Sequence, residues 1–169
     1  HNGRRRQRQM CIRDRYENGA EMLIEEALCH REAGYDAFKF RPGTDWQAAG
    51  MTLERYAPIL ERLRDAVGPE FRLVHEGLGM SLGSLEAIIS DFAPLLEKLG
   101  FYWFEEAFGG TNIEHIDLFV QLKEAMPTVR VSGGERFRER FEAQVWLDRR
   151  ALDIVQTDCN VTGLTENWY

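Results

Sequence analysis

Long apolar runs, clustered cysteines and an excess of positive charge are all missing from this chain of 169 residues. No stretch approaches the ~20 apolar residues that a bilayer-crossing helix needs. The basic start is not followed by an apolar segment, so it does not read as a secretory signal. The three cysteines, Cys11, Cys29 and Cys159, are odd in number and lack metal-type spacing. Reduced thiols in a cytoplasmic setting are the expectation. A formal net charge of −7 argues against nucleic acid as the main partner. Histidine offers little chemistry. His1 lies in the basic start, and His30 and His115 fall in helical stretches as surface residues. His75 precedes an acid on a strand and so faces away from it. What remains, 44% hydrophobic and 29% charged, is the composition of one soluble globular domain with room for a real core.

The charge is uneven. Residues 1–15 carry Arg4, Arg5, Arg6, Arg8, Arg13 and Arg15 against a single acid, Asp14, a net +5 that leaves −12 on the rest. Such an arm can tether a protein to an anionic surface. The run Gln9-Met10-Cys11-Ile12-Arg13-Asp14-Arg15, however, resembles a translated sequencing-adapter artefact found in metagenomic protein sets. Residues 1–15 are therefore read as a disordered, non-native extension, and residues 16–169 as the domain.

From Asn18 onward, helical and strand patterns alternate. Asn18 with Glu21 makes a capping-box start, and Ala20, Leu23, Ile24, Ala27 and Leu28 keep helical spacing until Gly34. A short strand follows at 37–40. Leu53 to Val67 is the next helix, and 71–76 the next strand. Ser84 caps a helix that runs to Leu99, closed by Gly100. After a strand at 101–106, Thr111 and Glu114 form another capping box, and the helix they open stops at Pro127. A strand at 129–132, a helix at 138–150 and a strand at 152–157 continue the series, and a further helix opens at Gly163. Five strands alternating with helices imply an α/β fold with a parallel sheet. That sheet is either doubly wound and open or part of a closed (β/α) barrel. A complete barrel takes about 250 residues and eight strands. The first strand is followed by no glycine-rich phosphate loop, and acids recur at strand ends. Both features favour a partial TIM-type barrel.

Those acids are the main chemical signal. Glu76, Glu105, Glu135 and Asp158 each close an apolar run, and a fifth run ends in Lys39-Phe40-Arg41. The steps from Lys39 onward are 37, 29, 30 and 23 residues, near the ~30 of a strand–helix–strand unit. Side chains at the carboxyl ends of barrel strands converge on one face, so these groups are expected in one pocket. Carboxylate oxygens with room for water suit Mg²⁺. Lys39 and Arg41, two apart on a strand, share a face. Lys39 is the candidate base. Arg41 stays protonated and is assigned to carboxylate binding or charge stabilisation. Asp158 is either an outlying acid or the partner that orients a histidine base. The aromatics at 101–104 are expected between strand and helices, and Trp46 either covers a substrate or packs in its loop.

Several segments together resemble the mandelate racemase/muconate lactonizing branch of the enolase superfamily, from about Gly19 to Trp168. They are Gly34-Tyr35-Asp36-Ala37-Phe38-Lys39-Phe40-Arg41-Pro42-Gly43, similar to the Lys-x-Lys segment, and the approach to Leu73-Val74-His75-Glu76. Phe104-Glu105-Glu106-Ala107, Ser132-Gly133-Gly134-Glu135 and Asp153-Ile154-Val155-Gln156-Thr157-Asp158 complete the set. The resemblance implies one Mg²⁺ held by Glu76, Glu105 and Glu135, and a base that removes the proton α to a substrate carboxylate by way of an enediolate. An acid-sugar dehydratase, a hydro-lyase, is the leading expectation; a 2-hydroxy acid racemase or epimerase, or an inactive fragment, is the alternative. The partner implied is a small carboxylate, and the parent protein is expected to be a homo-oligomer. Four departures stand out. Glu76 replaces the usual aspartate, Arg41 the second lysine and Ala107 a proline. The chain also stops at Tyr169, before a strand bearing the histidine that partners Asp158.

Overall fold

The computed structural model describes residues 19–42, 50–77 and 84–168. Asn18, Gly43, Trp46 and the basic arm, on which parts of the sequence reading fall, lie outside the described residues. Five parallel strands pair in chain order: β1 (Ala37–Phe40), β2 (Arg72–Glu76), β3 (Trp103–Glu105), β4 (Arg130–Gly133) and β5 (Ile154–Val155). This order decides between the two architectures left open above. A doubly wound sheet reverses its strand order at a switch point. Here the order never reverses, so the sheet is part of a (β/α) barrel.

Helices α1 (Gly19–Glu32) and α2 (Leu53–Val67) flank β1. Between β2 and β3 come α3 (Leu85–Ala87), a π-helical turn at Ile88–Phe92 and α4 (Ala93–Lys98). The helix expected from Ser84 to Leu99 is therefore continuous, with a π-helical turn inside it. Ser84 does cap it, its Oγ accepting from the Ala87 N–H at 3.2 Å. Farther on, the Ala93 N–H reaches back five residues to the Ile88 carbonyl, and Pro94 has no N–H to close a tighter turn. A 3-10 turn at Ile113–His115 leads into α5 (Ile116–Ala125). The capping box predicted from Thr111 and Glu114 does not form. Asn112 precedes the turn without a side-chain cap bond, and the Thr111 methyl lies over Gly133. Helix α6 (Arg140–Asp148) precedes β5, and the short α7 (Cys159–Thr162) and α8 (Leu164–Trp168) follow it.

Three helix ends share one geometry. Gly34, Gly100 and Arg150 all have positive φ (90°, 61° and 53°). In each case the next N–H bonds five residues back: Tyr35 to His30, Phe101 to Leu96 and Ala151 to Trp146. This is a Schellman end, which favours glycine. The sequence marks the first two. The third uses an arginine at a left-handed position, at a cost of ~1 kcal/mol.

The core lies between the sheet and its helices. Phe38, Phe40, Leu73, Phe104 and Val131 point outward from the strands onto Leu60, Leu63, Phe92, Leu96, Phe119 and Trp146. His75 belongs to this layer, as its position next to Glu76 predicts. It is fully buried among the rings of Phe40, Phe92, Phe101 and Phe104, with Nε2 3.0 Å from the Tyr56 hydroxyl. Burial drives its pKa down to about 3, so it is neutral and structural. His30 and His115 are not the free surface residues expected. His30 packs on Tyr35 and Phe38, and His115 on Phe108. No described helix is long and apolar enough to cross a membrane.

Candidate metal-binding and proton-transfer site

Alternation along the strands sends the other set of side chains to the inner face. Register then aligns them, with Glu76 opposite Glu105 and Glu105 opposite Ser132. Both glutamates are buried, at 4% and 5% exposure. Lys39, from the inner face of β1, joins them, with Nζ 2.6 Å from Glu105 Oε1 and 3.5 Å from Glu76 Oε2. Arg41 completes the group through an ion pair with Glu76 Oε1. Four of the six residues singled out from sequence thus meet at one place. Their order in space comes from the βα repeat, as the strand-end argument requires.

Two members of this cluster carry no signal in the acid pattern. Trp103 shares the face of Glu105, two residues on, and its Nε1–H donates to Glu105 Oε2 at 3.3 Å. The expectation that the aromatics at 101–104 all pack toward the helices therefore holds for Phe101 and Phe104 but not for Trp103. Gln156, just past β5, donates from Nε2 to the same oxygen at 3.1 Å. Strand parity from Ile154, which pairs with Ser132, would have found it. Burial raises the pKa of Glu105, but bonds from Lys39 and Gln156, the Lys39 charge and Trp103 outweigh it, and the net shift is downward. For Lys39, burial pulls downward while Glu105 and then Glu76 pull upward, and its pKa ends above the ordinary value. The inner wall also keeps unmet hydrogen-bonding capacity: Ser132 Oγ and Gln156 Oε1 are buried without a partner.

Glu135 and Asp158 are placed differently. Glu135 follows β4, is partly exposed, and lies 3.8 Å from Arg136 Nε. Asp158 caps α7, with Oδ1 accepting from the backbone and side-chain nitrogens of Asn160, each at 2.8 Å. Among the described residues, no three His, Cys, Asp or Glu side chains are gathered closely enough to hold a metal ion. Glu106, to which the sequence reading gave no role, is the most buried acid of the region at 2% exposure. Its backbone is left-handed, with φ 49°. Its Oε1 accepts from the Gly134 N–H at 2.8 Å. Burial raises its pKa, opposed by the Gly134 bond and reinforced by the charge of Glu135.

A family model described as Enolase C-terminal domain-like matches residues 22–168. The chain belongs to this family, in the mandelate racemase/muconate lactonizing branch of the enolase superfamily. It is 29% identical over 143 residues to an arabinonate dehydratase of Saccharolobus solfataricus, covering 85% of this chain and 35% of that protein. The crystal structure of a 3,6-anhydro-D-galactonate cycloisomerase from Zobellia galactanivorans superposes with a TM-score of 0.70 at 28% identity, over 88% of this chain and 39% of that one. An L-talarate/galactarate dehydratase mutant, solved liganded with Mg and L-glucarate, shares the fold with a TM-score of 0.69 at 22% identity, over 88% and 35%. The chain thus spans little more than a third of the relatives it matches.

Proposed function

We propose that this chain forms the metal-binding face of an enzyme that removes the proton α to a substrate carboxylate, with acid-sugar dehydration as the overall reaction. One observation carries the reading. A single ammonium, Lys39 Nζ, touches two buried carboxylates from adjacent strand ends, so this face demands positive charge and holds an amine beside it. The donors fit a hard divalent cation. Glu76 and Glu105 offer oxygen only, and the partnerless Ser132 Oγ and Gln156 Oε1 match the water shell that Mg²⁺ keeps. Glu76 and Glu105, which stand together, would hold it, and Glu135, which does not stand with them among the described residues, would have to join them. Once bound, the ion supplies the charge that stabilises an enediolate.

The remaining roles belong to side chains. Lys39 is the amine placed to take the proton, and it stays protonated while Glu105 and Glu76 face it unshielded. Arg41, paired with Glu76, presents a planar fork of donors that suits a substrate carboxylate. Loss of the α proton and of the β-hydroxyl, together as water, leaves an enol that becomes a 2-keto-3-deoxy acid. Similarity to the arabinonate dehydratase supports this outcome, and arginine at position 41 disfavours a two-base racemase.

The metal reading is tested by calorimetric titration of the chain with Mg²⁺ beside Glu105→Gln and Glu135→Gln. Binding is expected in the parent and loss in both variants, and equal heats in all three would remove the reading. The reaction class is tested by assaying an intact homologue on hexonates and hexarates. Appearance of 2-keto-3-deoxy acids supports dehydration. Isomer exchange of a 2-hydroxy acid without loss of water would replace it with racemisation.

A further inference from the structure

Glu106 follows Glu105 directly, yet its side chain serves the next strand. The backbone N–H of Glu106 donates to Ser132 O at 3.0 Å, and its carbonyl accepts from Gly109 at 3.0 Å. Its carboxylate then crosses to the loop after β4, taking the Gly134 N–H at 2.8 Å. The grip is therefore two-sided: main chain on Ser132 within β4, side chain on Gly134 just after it.

The surroundings are shaped for this carboxylate. A Cβ at Gly133 would stand 3.0 Å from Glu106 Oε1 and 2.8 Å from the Thr111 methyl, and a Cβ at Gly110 would stand 3.6 Å from Oε2. Glycine at 133 leaves the space the carboxylate fills. Gly134, at φ 97°, turns its N–H toward that carboxylate, and a Cβ there would meet the Phe137 ring at 2.5 Å. The Gly133-Gly134 pair before Glu135 is thus room for a neighbour, and the left-handed backbone at Glu106 is what swings its side chain across.

We propose that Glu106 is a positioning residue, whose carboxylate fixes the Gly134–Glu135 backbone and so sets where the Glu135 carboxylate can stand. Its consequence for metal binding rests on the reading proposed above; the clamp itself does not. Buried groups that orient a ligand are typically worth ~10–100-fold in metal affinity.

The test compares the full chain with Glu106→Ala, Glu106→Gln and Glu106→Asp, using Mg²⁺ titration and hydrogen exchange at the Gly134 amide, both well below the melting temperature. In Glu106→Ala, Gly134 should exchange at least tenfold faster and Mg²⁺ affinity should fall by ~10–100-fold. Glu106→Gln keeps an acceptor oxygen and should stay within about threefold of the parent in both readouts, a rescue that a bulk packing role would not give. Glu106→Asp keeps the charge but retracts it, should behave like the alanine variant, and replaces it if that variant does not fold. Unchanged exchange and affinity in Glu106→Ala overturn the proposal, as does faster exchange with unchanged affinity. If the parent chain takes up no Mg²⁺, the metal reading fails, and the exchange comparison alone upholds or overturns the clamp.

Discussion

Replacing Lys39 with methionine keeps most of the side chain's length and removes its charge, which isolates what the ammonium does for the two glutamates. Breaking a fully buried ion pair from one side costs ~3–5 kcal/mol, and an exposed pair contributes ~0–1 kcal/mol. This pair lies between those limits, since the Lys39 side chain is 45% exposed and that of Glu105 only 6%. A loss of about 1–2 kcal/mol at pH 7 is expected. The sign with pH follows from the two shifts. The Glu105 pKa is lowered below 4.5, so its contribution is present above that value and lost as the pH falls through the folded-state pKa. The Lys39 pKa is raised above 10.5, so its contribution is present below that value and lost as the pH rises through the folded-state pKa. The pair therefore stabilises between the two, and the gap between Lys39→Met and the parent should narrow toward either end. Urea unfolding at pH 7 and pH 4 measures it, with midpoints compared at constant slope. Adding Mg²⁺ at pH 7 should stabilise the variant more than the parent, because the carboxylates no longer have an internal cation. Equal midpoints at pH 7, or a gap that persists unchanged at pH 4, would refute the coupling between Lys39 and Glu105.

Other consequences are simpler to check. Gly133→Ala should destabilise by ~1–3 kcal/mol through overpacking, since the new methyl meets the Thr111 methyl at 2.8 Å and Glu106 Oε1 at 3.0 Å. Adding Thr111→Ser removes one of those clashes, and denaturant unfolding should show part of the loss recovered. Arg150→Gly relieves a left-handed arginine at φ 53° and should raise stability by ~0.5–1 kcal/mol, less than the full strain because glycine also loosens the unfolded chain. His75, with its pKa lowered to about 3 from an ordinary 6.5, gives stability that is complete above pH 6.5 and drains away as the pH falls toward 3. Thermal melts of His75→Phe should therefore shift in the variant's favour between pH 6.5 and pH 4 relative to the parent.

Most of the fold was legible because two periodicities alternate cleanly. Strands such as Leu73 to Glu76 and helices such as Leu53 to Val67 fall where the pattern puts them, and Gly34 and Gly100 mark two helix ends. The errors have local causes. The π-helical turn at Ile88–Phe92 follows from a proline whose effect extends a turn upstream. The capping box expected at Thr111 fails because that side chain is used elsewhere, with its methyl over Gly133.

The site was legible as far as strand parity reaches, and no farther. Parity puts Lys39 and Arg41 on one face and Glu76 and Glu105 in register, and the structure joins all four. Carried through Ile154, it also gives Gln156. It fails at Glu106, where the chain leaves β3 in a left-handed turn and alternation no longer says which way a side chain points. By parity Glu106 would face the helices beside Phe104, yet its carboxylate lies across the glycines of the next loop. The readable clue was the Gly133-Gly134 pair itself. Two glycines ahead of an acid mean that something else fills the space their side chains would take, and a neighbouring strand end with a second, unassigned acid is the nearest source.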